Sequence, residues 1–137
     1  MSSNQLTGKA GVYYCCYKLS VLGWKVTLTV RNAQGVDIIA RRGSDTGSVG
    51  VQVRTLSKRA PVPLGPTLDS IMGDYWAIVN EVISASPRTF ILLPSEIRAK
   101  AHRSGSDGNV TYWLEPKDYE LNEYREAWGR LGQPIEP

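Results

Sequence analysis

Residues 36–55, VDIIARRGSDTGSVGVQVRT, carry the pattern from which the rest of the chain is read. Val36 to Ala40 is a short apolar run interrupted by one acid, Asp37. The Gly- and Ser-rich GSDTGS that follows is a turn. From Val49 the chain alternates with period two, placing Val49, Val51 and Val53 on one side and Gly50, Gln52 and Arg54 on the other. Two such strands with a short connection form an antiparallel hairpin, and Asp37 then faces the place where Gln52 and Arg54 lie side by side. An acid inside an apolar strand costs desolvation unless it meets a cation, a donor or a metal. Spacing leaves two readings open. Asp37 pairs with Arg54 as a structural ion pair, worth under about 1 kcal/mol if exposed, or it holds a hard divalent cation beside a phosphate.

Upstream, Val12, Cys15, Cys16, Leu19 and Leu22 recur at helical spacing over residues 8–22, and Gly23 is a natural stop. Residues 24–30, WKVTLTV, alternate as a strand with one wet face, so three consecutive strands make an antiparallel meander. Ser57 to Pro66 contains three prolines beside Lys58 and Arg59 and is expected to be an irregular basic loop. Strands are expected at Tyr75–Val82, Thr89–Leu93 and, last, VTYWL at 110–114. A short helix opens at Pro94, and a loop spans Ser104 to Asn109. Leu121, Tyr124, Trp128 and Leu131 predict a closing helix that Gly132 ends. This order predicts an α/β domain, one unit over residues 1–137, with a central mixed β-sheet flanked by helices.

Composition narrows the function classes. Apolar residues are 42% and charged residues 21% of the 137, ordinary values that exclude a disordered or coiled-coil chain. No apolar run reaches the roughly 18 residues of a membrane span, and no signal-peptide core follows Met1, so a cytoplasmic protein without a membrane partner is expected. Cys15 and Cys16 are adjacent and read as reduced core residues. His102 has no second ligand at metal spacing and reads as a surface or helix-end histidine. Tyr13, Tyr14, Tyr17, Trp76, Trp113 and Trp128 read as packing residues rather than base-stacking platforms. Residues 1–60 hold nine Lys/Arg against two acids, a net +7, and the remainder seven against eleven, a net −4. A basic half of this kind attracts a polyanion such as a phosphate backbone.

Four segments carry a family resemblance: Gly8-Lys9-Ala10-Gly11 opening a helix that ends at Gly23-Trp24, then Gly35-Val36-Asp37-Ile38, Val51-Gln52-Val53-Arg54-Thr55, and Asp74-Tyr75-Trp76-Ala77-Ile78-Val79. In this order and spacing the chain resembles the small PD-(D/E)XK endonuclease-like domains related to archaeal Holliday junction resolvases, over roughly residues 7 to 94. The resemblance implies a restriction-endonuclease-like, three-layer fold. It also implies a metal site for Mg²⁺ or Mn²⁺ built from Asp37, Gln52 and the Val53 carbonyl. Arg54 stands in the position of the family's lysine, making Asp37, Gln52 and Arg54 the implied catalytic set. Two residues depart from the pattern: Val12 stands where the family has a helix acid, and Arg54, a guanidinium that keeps its charge, takes no proton from water.

The function so implied is that of a DNA-binding nuclease-superfamily protein, a metal-dependent endonuclease or a catalytically weakened relative, acting on duplex or branched DNA. Lys9, Arg31, Arg41, Arg42, Lys58 and Arg59 are the expected backbone contacts. A homodimer is expected, because cutting both strands asks for two sites, with VTYWL and TFILL as candidate interface. The alternative is a non-enzymatic interaction module that reuses the fold as partner or inhibitor of a nucleic-acid enzyme.

Overall fold

Helix α1 runs from Ser3 to Val21 in the computed structural model, which describes residues 3–29, 35–41 and 47–132. Gly23 ends it as expected, adopting φ 100° while the Trp24 N–H returns to the Leu19 carbonyl at 3.0 Å. The early stop leaves Leu22 outside the helix and half exposed, although the periodicity had placed it on the buried face. Cys15 and Leu19 are fully buried, and both thiols are free. Burial pushes the Cys15 thiol well above its ordinary range, with Cys16, Glu126 and Asp37 adding smaller contributions.

Strands β1 (Lys25–Leu28), β2 (Ile38–Arg41) and β3 (Ser48–Thr55) form the expected meander, antiparallel throughout, with Ile38 opposite Val51. β5 (Tyr75–Asn80) then pairs parallel to β3, and β6 (Arg88–Leu92) antiparallel to β5, giving one mixed sheet of order β1-β2-β3-β5-β6. Alternation splits its side chains between two faces. Ile38, Ala40, Val49, Val51, Val53, Ala77, Val79 and Ile91 pack with Cys15 and Leu19 of α1, whereas Trp76, Ile78, Phe90 and Leu92 enter a second core.

That second face is covered chiefly by a small sheet rather than by helices. β4 (Val62–Gly65), β8 (Thr111–Leu114) and β7 (His102–Ser104) pair in the order β4-β8-β7, and α2 (Pro94–Lys100) adds Ile97. β4 occupies the segment expected to be irregular. Proline is tolerated there because β4 is an edge strand with a register shift between Pro63 and Gly65. β7 also uses residues expected to be loop or helix end. His102 lies on it, 2.8 Å from Asp118 Oδ2 and stacked on Trp113 with ring centroids 5.6 Å apart.

The closing helix does not form as one element. Only α3 (Pro116–Tyr119) and a 3-10 helix (Trp128–Leu131) are helical. Between them the chain runs along the edge of β6: Ile91 donates to the Tyr124 carbonyl, Glu126 donates to the Thr89 carbonyl, and Glu126 adopts φ 50°. Pairing with an open sheet edge outweighs the helical periodicity, which arises because Tyr124, Trp128 and Leu131 each reach a core from a turning backbone. Of the runs offered as a dimer face, TFILL serves the interior, with Phe90, Ile91 and Leu92 buried, whereas VTYWL buries only Leu114 fully.

Candidate active site

Asp37 sits immediately before β2, and its main chain is fixed on both sides. Its N–H donates to the Val51 carbonyl at 2.9 Å, and its carbonyl accepts from Thr29 N–H at 3.1 Å. The side chain turns to β3, where Oδ2 accepts the Val53 N–H at 2.7 Å; Oδ1 has no hydrogen-bond partner among the described residues. Burial raises the Asp37 pKa above the ordinary carboxylate range, and the Val53 N–H and the Arg54 charge offset part of that rise.

Arg54 follows on β3, half-buried, with its guanidinium 4.7 Å from the Trp76 ring centroid and Nη1 at 3.4 Å from the Val53 carbonyl. Burial draws its pKa down and Asp37 opposes the shift. The two groups influence each other electrostatically but form no salt bridge, since the carboxylate is held by a main-chain donor and the guanidinium by an aromatic face. The structural ion-pair reading is therefore not what the fold builds.

Gln52 is placed elsewhere. It is 2% exposed, its Oε1 accepts from Met72 N–H at 2.9 Å, and its Nε2 donates to the Ser70 carbonyl at 3.1 Å. Its amide thus anchors the loop entering β5 and does not line the space beside Asp37.

That space is a cleft of about 590 Å³ walled by Lys9, Val12 and Tyr13 of α1, Leu28 of β1, and the pair Asp37 and Arg54. Val12 does share the cleft with Asp37. Val53 lines it too, and strand geometry puts its carbonyl on the same side as the N–H that binds Asp37. One carboxylate with an open oxygen and one carbonyl fit a cation that keeps most of its waters and completes its shell with a ligand phosphate. They do not make a preformed cage, and no group of three or more His, Cys, Asp or Glu side chains converges among the described residues.

Of the expected backbone contacts, Lys9 stands exposed at the cleft, and Arg41 is exposed on β2. Lys58 is exposed beyond β3, and Arg59 is tied to Glu120 Oε1 at 2.6 Å. Arg31 and Arg42 lie outside the described residues. Sequence reading missed Lys25, which faces Arg41 directly across β1 and β2, two cations where opposite charges would be more stable. It also missed Tyr13, whose position off the Cys15–Leu19 stripe of α1 is the signal that it points outward. No helix among the described residues is long and apolar enough to cross a membrane.

The sequence matches no family model and no curated protein. Among solved structures, that of a bacterial homing endonuclease, I-Ssp6803I, superposes with a TM-score of 0.63 over 95% of this chain and 93% of the other at 14% identity. The chain thus has the fold of an endonuclease, a mixed α/β architecture built around a central mixed sheet.

Proposed function

We propose that this chain is a DNA-binding protein of the PD-(D/E)XK nuclease-like superfamily, akin to the archaeal Holliday junction resolvases, and that its cleft receives a backbone phosphate of duplex or branched DNA. The observation that carries this reading is the convergence of Asp37, the Val53 main chain and Arg54 on one cleft opened by Lys9. Arg54, with its guanidinium over the Trp76 ring, is a side chain suited to bidentate phosphate binding, and Lys9 adds a second charge at the rim. Asp37 and the Val53 carbonyl would hold Mg²⁺ or Mn²⁺, which supplies Lewis-acid charge to a phosphoryl oxygen. Val12 in place of a second carboxylate, and a Gln52 amide bound to the loop before β5, make turnover slow. The free thiols fit a reducing cytoplasm. A homodimer supplies two sites, one per strand.

The test is binding and cleavage of linear, nicked and four-way DNA with Mg²⁺ or Mn²⁺, beside Asp37→Ala. Affinity should fall steeply with salt, and any cleavage should disappear in the variant. Absence of binding at low salt overturns the reading, and cleavage that survives Asp37→Ala removes this site from it. Sedimentation at micromolar concentration tests the dimer, with a clean monomer mass counting against it.

A further inference from the structure

The outward side of α1 carries a row of apolar side chains that nothing among the described residues covers. Leu6, Ala10, Tyr13, Tyr17 and Val21 follow at intervals of four, three, four and four residues, one face of a helix. They point away from the buried Cys15 and Leu19, and Tyr13 and Tyr17 are 56% and 63% exposed. The two rings stand one turn apart, about 6 Å along the axis. Tyr13, the third residue of the row, also lines the Asp37 cleft, so the row passes the candidate site on its way to Tyr17.

Charge decides what fits this face. The helix contains Lys9 and Lys18 and no acid; Lys18 is paired with Glu126 at 3.2 Å, and Lys9 stands exposed at the cleft. A second copy of the chain docked through the row would offer Lys9 no acid of α1 to pair with. A ligand with flat apolar faces and a negative charge at every step meets both features, and an unpaired nucleic-acid strand is such a ligand. A duplex hides its base faces in the stack, so exposed tyrosines gain little from it.

Resting on the nucleic-acid reading above, we infer that an unpaired stretch of strand leaving the cleft crosses α1 with successive bases stacked on Tyr13 and Tyr17. The preferred ligand is then DNA with a single-stranded segment, such as a flap, an overhang or an opened junction. Lys9 meets the phosphate between the cleft and the first stacked base.

Fluorescence anisotropy tests this with a labelled single strand, a blunt duplex of the same sequence and a duplex with an overhang. Each is titrated with the natural protein, Tyr13→Ala, Tyr17→Ala and the two Phe variants, and each protein is also sedimented. Alanine at these exposed helical positions keeps the fold. The natural protein should favour the single strand and the overhang over the blunt duplex. Each alanine should weaken those two ligands by roughly tenfold, Tyr17→Ala, which stands outside the cleft, should leave the blunt duplex nearly unchanged, and Phe should retain the binding. Alanine variants that bind single strands like the natural protein overturn the inference and leave the functional reading standing. So does a natural dimer that Tyr17→Ala turns into monomers, because the face is then a self-contact. Failure to bind any of the three DNAs removes the functional reading and this inference with it.

Discussion

Val12 and Asp37 share one cleft, so a carboxylate at position 12 would enter the space that Asp37 lines. Val12→Glu combined with Arg54→Lys should therefore raise Mg²⁺ affinity and give DNA cleavage above that of the natural chain, since the pair adds a hard ligand and a titratable amine. Val12 is half-buried on the cleft wall, and the cost should stay near or below about 1 kcal/mol rather than the several of a sealed carboxylate. Calorimetry with Mg²⁺ and a nuclease assay check both parts, and a folded double variant with no gain in metal binding sinks the assignment. Asp37 itself makes a pH prediction. Its native pKa lies above the ordinary value, so the folded state holds that proton more tightly than the unfolded chain does. Its contribution is fully present below about pH 4 and is lost as pH rises through the native pKa. Asp37→Asn, which mimics the protonated form, should accordingly gain melting temperature relative to the natural protein between pH 4 and pH 7 without metal. A difference that is flat across that range would refute the raised pKa. At this scale Asp37 and Arg54 were legible because an acid and a guanidinium interrupt two apolar strands. Gln52 was not, because its partners Ser70 and Met72 arrive from a loop that no local pattern ties to β3.

Among the elements, α1 meets β3 at a contact that only glycine permits. A Cβ on Gly11 would fall onto the Thr55 side chain, whereas one on Gly8, a turn earlier, meets no atom within 4 Å. Gly11→Ala should cost about 1–3 kcal/mol, and Gly8→Ala should gain up to about 1 kcal/mol from helix propensity. Urea denaturation of the two variants separates these effects, and equal midpoints would mean that α1 does not press on β3. The strands from β1 to β3, and β5 and β6, were readable because their apolar residues alternate or run together between turn signals. β4 escaped because Pro63 argues against a strand except at an edge, and sequence does not say which strand will be an edge. Residues 121–131 misled in the opposite way. Their helical spacing is real, yet the Tyr124 carbonyl and the Glu126 N–H pair with Ile91 and Thr89 of β6, and the remaining bonds close only short turns. Tyr13 and Tyr17 read as packing residues because α1 is apolar on more than one side, yet both stand largely exposed.

For the molecule as a whole, the basic excess of residues 1–60 is spread around α1 and the meander, and Lys25 opposite Arg41 is the place where it works against stability. Lys25→Glu replaces that repulsion by attraction, and should stabilise the fold by about 0.2–1 kcal/mol while lowering DNA affinity and the steepness of its salt dependence by roughly one phosphate contact. Thermal melts and titrations at several salt concentrations read the two effects separately, and a variant that binds as tightly as the natural chain would place DNA elsewhere. The core beneath α1 has a different kind of consequence. Trp128 and Leu131 pack in the same cluster as Cys15 and Leu19, more than a hundred residues earlier. Contacts so distant along the chain reward folding only late, after most of the loop entropy has been lost. During synthesis the helix is made long before the residues that seal it, and Cys15, the buried one of its two cysteines, stays open to solvent for most of that interval. A ribosome-bound chain halted at residue 120 should therefore react at Cys15 with a thiol reagent, whereas the released protein, which buries that side chain completely, should resist. Protection already present at residue 120 would show that α1 docks before Trp128 and Leu131 arrive.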